Sequence, residues 1–285
     1  MGPQMRVCKM RTWSFAKGHG TMNDFVIIKD RSGLLDPSAE DVRFLCDRRR
    51  GVGGDGVLRA VKASHMPEWD GPGDIWFMDY RNADGSLAQT CGNGLRVFVQ
   101  WLLEEDLATG DVIDIATRAG IRRARVHTDG VIAVTMGTPR WEPAQSQVRL
   151  GDRQWYGHPV DVGNEHCVIR LEDVDELAGL DLTVAPVLDP VQFPHGANVE
   201  FVVRLGDNKL RLRVFERGVG ETMSCGTGVV AASCDELHQV PSDERSYRVE
   251  VPGGRLKVEF APGGEASLVG PACIVARGEV TLPNG

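Results

Sequence analysis

The sequence predicts an α/β protein of the α+β type, made of two similar halves. Three observations lead to this class. At about 150 residues per domain, the 285 residues correspond to roughly two domains. Short apolar runs of strand length recur along the chain, with few helical patterns between them. Each half then repeats one order of features, namely a strand, a Cys-Gly-x-Gly motif and a helix.

Composition excludes several functional classes. Hydrophobic residues make up 42% and charged residues 25% of the chain, as in ordinary globular proteins. A net charge of −8 argues against a nucleic-acid partner and against an anionic membrane surface. No apolar run approaches the ~20 residues of a membrane helix. The basic start, Met1 to Arg11, has no apolar stretch behind it, so we expect no secretory signal.

The cysteines indicate a reducing compartment. Seven is an odd number, no Cys-x-x-Cys occurs, and no Cys/His cluster has zinc spacing. We therefore expect a cytoplasmic protein with free thiols and no bound metal. Five cysteines are expected to be packing or terminal residues: Cys46 and Cys234 on helix faces, Cys167 and Cys273 in strand-like runs, and Cys8 near the N-terminus.

The first half begins with strands and one short helix. A glycine turn at Gly18 and Gly20 precedes the apolar strand 25–28. A helix follows, capped by Asp36 and ended by Gly51. Its inward residues are expected to be Val42, Leu45 and Cys46.

A glycine-rich segment, residues 51–56, formally matches Gly-x-Gly-x-x-Gly. A dinucleotide site needs that pattern after a strand and before a helix. Here the pattern follows a helix and precedes the strand-like run 57–61, so we expect no nucleotide site. The run 75–78 is the next predicted strand, and residues 82–85 (NADG) form a tight turn.

The two Cys-Gly-x-Gly motifs each open a helix. The first motif is followed by apolar residues at helical spacing, namely Leu95, Phe98, Val99, Leu102 and Leu103. Residues 112–135 are predicted to be strands, with a turn at 129–130, and 137–159 a crossover between the halves. The second half has predicted strands at 160–162, 199–203 and 210–215, a helix at 229–237, and further strands at 248–251, 256–260 and 274–280.

The motifs suggest acid/base chemistry. The first N–H groups of a helix lack internal partners and carry about half a positive charge. A thiol there is expected to have a lowered pKa, and the same N–H groups can bind a carboxylate or a developing oxyanion. Two such helix ends facing each other would hold the carboxylate of a small acid with one sulfur on each side of its α-carbon. One thiolate could then remove the α-proton while the opposite thiol protonates the other face.

These motifs resemble the diaminopimelate epimerase family, and the resemblance runs from about Phe15 to Val280. The matching segments are KGHGTMNDF at 17–25, GGDG at 53–56, NADGS at 82–86 before CGNG at 91–94, GNEH at 163–166, NVEF at 198–201, and ERGVGET at 216–222 before CGTG at 225–228.

The resemblance implies a fold of two pseudo-symmetric domains. Each would be a mixed β-sheet wrapped around a central helix, with the active site in the cleft between the domains. The N-terminal half would span residues 12–138 and the C-terminal half residues 139–270. The last strand, within 271–285, would return to the N-terminal half.

The resemblance also implies a function. The family converts the small molecule LL-2,6-diaminopimelate to its meso form, in lysine and peptidoglycan precursor synthesis, as a homodimer with no cofactor and no metal. By position, Cys91 and Cys225 would be the two acid/base thiols. Gly92, Asn93, Gly226 and Thr227 would donate to the reacting carboxylate. The other implied substrate-binding residues are Asn23, Asn82, Asn164, Asn198, Glu216 and Arg217.

The implied binding residues match the chemistry of the substrate, and two neighbouring positions depart from the family. The distal end of diaminopimelate is a zwitterion, so Arg217 and asparagine amides can donate to its carboxylate while Glu216 pairs with its ammonium. Glu165 stands where the family commonly has proline, and Gly56 where some members have glutamine. Both departures concern substrate affinity, not the thiols.

Three alternatives remain open from the sequence. The first is a cofactor-independent racemase of another amino acid, such as histidine or proline, on the same scaffold. A one-ended amino acid would leave the polar residues of the distal clamp unpaired, which is costly. The second is an isomerase of this architecture without the thiol pair, against which Cys91 and Cys225 argue. The third is a binding or redox protein that uses the two thiols as a disulfide switch.

Overall fold

The computed structural model describes residues 11–240 and 243–283, and its fold is α+β and dominated by strands, as predicted. The expectations for the first ten residues, including Cys8, lie outside this part of the chain. Cys46, Cys167 and Cys234 are buried, whereas Cys273 is exposed. Within the described ranges, no helix has both the length and the apolar character needed to cross a bilayer.

The first half is an eight-stranded sheet with two helices. Its helices are α1 (Ala39–Cys46) and α2 (Gly92–Glu104). Its strands are β1 (Arg11–Gly20), β2 (Asn23–Asp30), β3 (Gly56–Lys62), β4 (Trp76–Asn82), β5 (Val112–Thr117), β6 (Gly120–Val126), β7 (Ile132–Gly137) and, from the end of the chain, β19 (Cys273–Leu282).

The second half holds the remaining elements. Its helices are α3 (Val174–Ala178) and α4 (Gly226–Gln239). Its strands are β8 (Arg140–Trp141), β9 (Ser146–Leu150), β10 (Arg153–Asp161), β11 (Glu165–Arg170), β12 (Val187–Leu188), β13 (Asn198–Gly206), β14 (Lys209–Glu216), β15 (Gly220–Thr222), β16 (Ser246–Val251), β17 (Gly254–Phe260) and β18 (Ala266–Gly270).

The two sheets repeat one pattern of neighbours. In the first half the order is β19-β1-β2-β3-β4-β5-β6-β7, with β2–β3 and β4–β5 parallel and the other pairs antiparallel. In the second half β10-β11-β13-β14-β16-β17-β18 follows the same scheme, with β11–β13 and β14–β16 parallel. The sequence similarity of the halves therefore extends to their strand pairing.

Each sheet wraps around one helix. α2 contacts β1, β2, β3, β4, β6, β7 and β19, and α4 contacts β8, β10, β11, β13, β14, β16, β17 and β18. Ten residues of α2 are buried, on all faces of the helix, as expected of a helix enclosed in a core. The halves are joined by antiparallel pairing of β7 with its counterpart β18, for example Val134 with Leu268.

Three local predictions are wrong. The first turn lies at Thr21 and Met22, whose φ angles are 51° and 64°. Gly18 lies inside β1 instead. The position requires glycine because a side chain there would lie 2.8 Å from Val97 of α2. α1 is capped by Ser38 in a capping box with Asp41, not by Asp36, and it ends at Cys46 rather than at Gly51. Residues 137–159 are more than a crossover, since they carry β8, β9 and most of β10.

Candidate active site

Cys91 and Cys225 occupy equivalent backbone positions, because each is the N-cap of the central helix of its half. Their φ and ψ angles are −148° and 117° for Cys91 and −111° and 113° for Cys225, so both are extended. The backbone N–H of Gly94 donates to Cys91 Sγ at 3.3 Å. Cys225 Sγ lies 3.4 Å from the hydroxyl oxygen of Thr227. Both sulfurs are thus held beside the first turn of a helix.

The N-termini of α2 and α4 meet at the junction of the halves. A methyl group at Gly226 would lie 3.3 Å from the backbone nitrogen of Asn93. The side chain of Asn93 crosses the junction and donates to the carbonyl oxygen of Ser224 at 3.1 Å. The positive ends of two helices therefore converge, which is a favourable setting for an anion such as a carboxylate.

The charges around the two thiols differ, although the backbone settings match. The pKa of Cys91 is raised to about 11, because burial and the charge of Glu216 raise it more than the N–H donors of the helix and the cation of Arg96 lower it. Burial also raises the pKa of Cys225 well above its usual value, with additional contributions from Glu216 and Glu200. The lowered thiol pKa expected from the sequence is therefore not found, because burial and nearby carboxylates outweigh the helix ends.

A polar network surrounds Cys91. Asn23 lies with its side-chain oxygen 3.8 Å from Cys91 Sγ. The same oxygen accepts from the amide of Asn93 at 3.2 Å, and the Asn23 amide donates to Asp55 at 2.8 Å. Asn93 in turn accepts from Arg96 at 2.9 Å. The structure thus brings three predicted site residues together, namely Asn23, Cys91 and Asn93.

A second network lies near Cys225. The amide of Asn164 donates to the Thr227 hydroxyl at 3.4 Å. His166 lies between two side-chain oxygens, 3.2 Å from Asn164 Oδ1 and 2.7 Å from Oε1 of the buried Glu200. A side chain at Gly228 would meet Glu200 at 2.5 Å, so this carboxyl group lies directly under the first turn of α4.

The residues predicted to bind the distal end of a substrate form a third group. The backbone N–H of Arg217 donates to Asn198 Oδ1 at 2.9 Å. The hydroxyl of Thr222 donates to Glu216. Burial raises the pKa of Glu216, and Glu200 adds to this shift. The charge of Glu216 also raises the pKa of both cysteines, so this carboxyl group lies within electrostatic range of the two thiols.

Asn82 and the two departures from the family lie at the edges of this arrangement. Asn82 ends β4 and donates to the hydroxyl of Ser86 at 3.0 Å, and in the described part of the chain its side chain forms no hydrogen bond with the other predicted site residues. Gly56 pairs with Asn82, and a side chain there would lie 2.6 Å from the ring of Tyr80. Glu165 opens β11, opposite Asp161, and is half-buried.

Several residues that the sequence did not indicate form hydrogen bonds with predicted site residues, namely Asp55, Arg96, His166 and Ser224, and Glu200 joins them through His166. Arg96 and Ser224 lie beside the cysteine motifs, so proximity in sequence could have indicated them. Glu200 lies in an apolar strand, where only the strand pairing brings it near the site. Among residues 11–240 and 243–283 no cluster of three or more His, Cys, Asp or Glu side chains has the geometry of a metal site.

Comparisons with known proteins give a consistent result. A family model described as diaminopimelate epimerase matches residues 15–142 and 159–282. A diaminopimelate epimerase of Corynebacterium glutamicum (strain R) is 45% identical over 277 residues, which cover 95% of this chain and 99% of the relative. One of Rhodococcus opacus (strain B4) is 44% identical over 281 residues, covering 93% of this chain and 96% of the relative.

Solved structures agree on the fold. A phenazine biosynthesis protein of the PhzF family from Bacillus anthracis superposes with a TM-score of 0.72 at 16% identity, covering 96% of this chain and 100% of the other. A hydroxyproline epimerase from Agrobacterium vitis gives a TM-score of 0.67 at 15% identity, covering 96% and 94%. At such low identity these matches speak for the architecture alone.

Proposed function

Because the chain belongs to the diaminopimelate epimerase family, whose members are isomerases acting on an amino acid, we propose that it interconverts LL- and meso-2,6-diaminopimelate by a two-base mechanism. Cys91 and Cys225 are the two bases. The observation that carries this proposal is the placement of one thiol at the N-cap of each of two helices whose N-termini meet.

The reaction needs one proton to leave and another to arrive at the same carbon. One cysteine, as thiolate, takes the α-proton and becomes a thiol. The opposite cysteine, as thiol, gives its proton to the other face of the carbon and becomes a thiolate. Charge and protons therefore balance over one turnover, and the reverse reaction exchanges the two roles.

Carbanion charge must be stabilised, because an α-proton next to a carboxylate is only weakly acidic. In the proposed complex the reacting carboxylate lies between the N-termini of α2 and α4. Backbone and side-chain donors at Gly92, Asn93, Gly226 and Thr227 then face its oxygens as negative charge develops there. Preorganised donors of this kind act on the transition state without further reorganisation.

Burial of both thiols favours proton transfer once the substrate is bound. The raised pKa values mean that a thiolate formed here is a stronger base than one in water. The substrate's own α-ammonium group supplies a positive charge next to the thiolate, which lowers the cost of forming it. Closure around the substrate would also exclude water, so that the two sulfurs are the proton carriers.

Selection of the substrate depends on its distal end in this proposal. Arg217 and the amides of Asn82, Asn164 and Asn198 offer donors to the distal carboxylate, and Glu216 pairs with the distal ammonium. A racemase of a one-ended amino acid remains the second candidate, since a structural neighbour named as a hydroxyproline epimerase shares the architecture. The two candidates differ in whether the distal zwitterion is required.

Solvent deuterium uptake tests the proposal. The reduced protein is incubated in D₂O with LL-diaminopimelate and, separately, with a panel of ordinary L-amino acids including proline and histidine. We expect α-carbon label in diaminopimelate only, with the meso form appearing. Label in another amino acid would support the two-thiol mechanism but assign a different substrate. No label at all, with the thiols verified to be free, would favour the redox alternative.

Cysteine variants test the roles of the two sulfurs. Cys91→Ala and Cys225→Ala should each reduce epimerisation by several orders of magnitude, because each loses one face of the carbon. Cys→Ser should also be far slower, since a hydroxyl ionises much less readily than a thiol. Cys234→Ala, a buried cysteine at the other end of α4, is the matched control with nearly unchanged turnover. Near-normal turnover of either active-site alanine variant would overturn the assignment.

The setting of the enzyme follows from its chemistry. Free thiols require a reducing compartment, so we propose a cytoplasmic enzyme that supplies lysine and peptidoglycan precursor synthesis. We also propose a homodimer, as the family resemblance implies. The outer edge of β19 supports this, because within residues 11–240 and 243–283 β19 pairs only with β1, and most of its side chains are exposed. Sedimentation equilibrium distinguishes a dimer from a monomer.

A further inference from the structure

Arg96 is a buried cation without a carboxylate beside it. The residue is fully buried in the first turns of α2. Its guanidinium donates to three neutral oxygens, Asn93 Oδ1 at 2.9 Å and the carbonyl oxygens of Gly92 and Pro271 at 3.4 Å. Within the described ranges no carboxylate forms an ion pair with it. An unpaired buried charge destabilises a fold. The burial of this cation therefore indicates that it acts on a neighbouring group.

A chain of side-chain hydrogen bonds begins at this cation and ends at a carboxylate. Arg96 donates to the oxygen of Asn93, and the Asn93 amide donates to the oxygen of Asn23 at 3.2 Å. The Asn23 amide then donates to Asp55 Oδ2 at 2.8 Å. The two amides therefore lie head to tail between a positive and a negative group.

The two ends of this chain determine how both amides point. A guanidinium only donates and an ionised carboxylate only accepts. Asn93 must therefore turn its oxygen towards Arg96, and Asn23 must turn its nitrogen towards Asp55. Asp55 is fixed in turn by Arg48 at 2.9 Å and by the backbone N–H of Asp24 at 3.1 Å. Reversing either amide would leave two donors or two acceptors facing each other.

Cys91 lies beside the middle of the chain. The sulfur is 3.8 Å from Asn23 Oδ1, in the geometry of an S–H donor facing an oxygen acceptor. The chain of hydrogen bonds fixes which atom of Asn23 faces the sulfur. Its orientation therefore determines whether the Cys91 sulfur meets a hydrogen-bond acceptor, which favours the thiol, or a donor, which favours the thiolate. Among the described residues, no side-chain amide forms a hydrogen bond with the Cys225 sulfur. This sulfur instead contacts the hydroxyl of Thr227, which can either donate or accept.

We propose that Arg96 and Asp55 are positioning residues for Cys91, which hold the Asn93 and Asn23 amides in one orientation and keep the Asn23 carbonyl oxygen against the sulfur. This inference rests on the proposed function, because it concerns one of the two acid/base thiols. It adds an asymmetry between two sulfurs whose backbone settings are alike. The other ionisable or charged groups facing Cys91 are Glu216 from β14 and Tyr80 from β4, besides Arg96 on its own helix.

The pH dependence of alkylation at a single cysteine tests the proposal without any turnover. In a Cys225→Ala background, the rate of iodoacetamide labelling of the Cys91 peptide is followed by mass spectrometry from pH 7 upward. Asp55→Asn replaces a group that can only accept with one that can also donate, and it removes one negative charge, so Asn23 is no longer held with its amide towards residue 55 and can turn it towards the sulfur. Both changes favour the thiolate, and we expect the labelling midpoint to fall by about 0.5–1 pH unit, the worth of one hydrogen bond.

Substitution of Arg96, at the other end of the hydrogen-bond chain, should shift the labelling midpoint of Cys91 in the opposite direction. Arg96→Met removes the cation while Ser224 still holds the Asn93 amide, so the Cys91 midpoint should rise. Arg96→Lys keeps the charge and a donor, and it should restore a midpoint near that of the parent. Thermal melting accompanies each variant. Asp55→Asn is nearly isosteric at a half-buried side chain, so it keeps the test decisive if Arg96→Met does not fold.

A matched control separates a local effect from a general one. In a Cys91→Ala background, the same substitutions should change the labelling midpoint of Cys225 by no more than about 0.2 pH unit, because neither amide of the hydrogen-bond chain contacts that sulfur. Equal shifts at both cysteines, or none at Cys91, would overturn the proposal. If an alanine variant of either thiol retained normal turnover, the two-base mechanism would fail, yet the labelling shifts would still report the orientation of the chain.

Discussion

Arg217 is anchored on one side only, which leaves part of its guanidinium available. Its Nη1 donates to the carbonyl oxygens of His195 and Gly196 at 3.0 and 3.1 Å. Its backbone N–H is held by the side chain of Asn198. The side chain thus has a fixed direction, and the planar fork of guanidinium donors suits a carboxylate. In the proposed complex that carboxylate is the distal one of the substrate.

Replacement of Arg217 should weaken substrate binding more than chemistry. Arg217→Ala removes charge-assisted hydrogen bonds to the distal carboxylate, each worth about 1.5–3 kcal/mol, so we expect KM to rise about 10- to 100-fold with a smaller change in kcat. Arg217→Lys should restore part of the affinity. Arg211→Ala, which breaks an exposed ion pair with Glu250, is the control with an unchanged KM. Steady-state kinetics provide the measurement, and an unaltered KM in Arg217→Ala would remove this residue from the substrate clamp.

At the residue scale, the sequence predicts site residues that lie within a motif. It does not predict residues that affect the site through another side chain. Cys91 and Cys225 were selected because each opens a helix, and the structure finds both at N-caps. The orientation of Asn23 could not be predicted, because it depends on Asp55 and Arg96 at the two ends of a chain of hydrogen bonds. An arginine on a helix usually points to solvent, so no local pattern predicts that Arg96 is buried.

The first residues of α2 and α4 are glycines because both helix ends approach other elements closely. A methyl group at Gly92 would lie 2.8 Å from the sulfur of Met136 and 2.9 Å from Leu268. One at Gly226 would lie 3.0 Å from Leu268 and 3.3 Å from Asn93. Both glycines therefore set how near the helix N-termini come to β7, to β18 and to each other.

Alanine at Gly226 should impair activity without unfolding the protein. The added methyl group pushes α4 away from Asn93, so the donors at the two helix ends no longer converge on one carboxylate. We expect kcat/KM to fall about tenfold or more, whereas the higher helix propensity of alanine, about 1 kcal/mol, limits the loss of stability. Gly263→Ala, at an exposed site with nothing within 4 Å, should change neither quantity. Kinetics and thermal melting check both variants, and a fully active Gly226→Ala would show that the spacing of the helix ends is not critical.

At the element scale, long apolar runs were predictable and short polar elements were not. β3, β13, β14 and α2 follow from their apolar patterns, as found. β8 and β12 have two residues each, and α3 has five, so periodicity gives no signal there. The Thr21–Met22 turn was missed because both residues adopt positive φ without being glycine. The hydroxyl of Thr21 lies 2.8 Å from that of Ser224, a contact between the halves that the local sequence does not reveal.

The strand pair that joins the halves also supports the candidate active site. β7 and β18 are counterparts in the two sheets, and Met136 of β7 and Leu268 of β18 pack beneath the helix N-termini. Each half supplies one of the two thiols, so neither half alone contains the complete pair that we propose for acid/base chemistry. We therefore propose that the two halves, residues 12–138 with 271–285 and residues 139–270, cannot function apart.

Mild oxidation should inactivate the enzyme reversibly. Two thiols on helices whose N-termini meet, which would flank one α-carbon in the proposed complex, can form a disulfide when no substrate lies between them and the sulfurs approach. We expect diamide to abolish epimerisation and dithiothreitol to restore it, with a Cys91–Cys225 cross-linked peptide detected by mass spectrometry. Cys225→Ala should not form this cross-link. Activity that persists with both thiols shown to be oxidised would contradict the two-base mechanism itself.

The pairing of β1 with β19 has a consequence for synthesis on the ribosome. The two strands come from opposite ends of the chain, separated by about 250 residues. At roughly 5–20 residues per second, the outer edge of β1 stays without its partner for on the order of 10–50 s after it is made. The second half can complete its sheet first, since its strands all precede β19. The half that is translated first is therefore the last to close, and its open strand edge is the part of the nascent chain most exposed to aggregation.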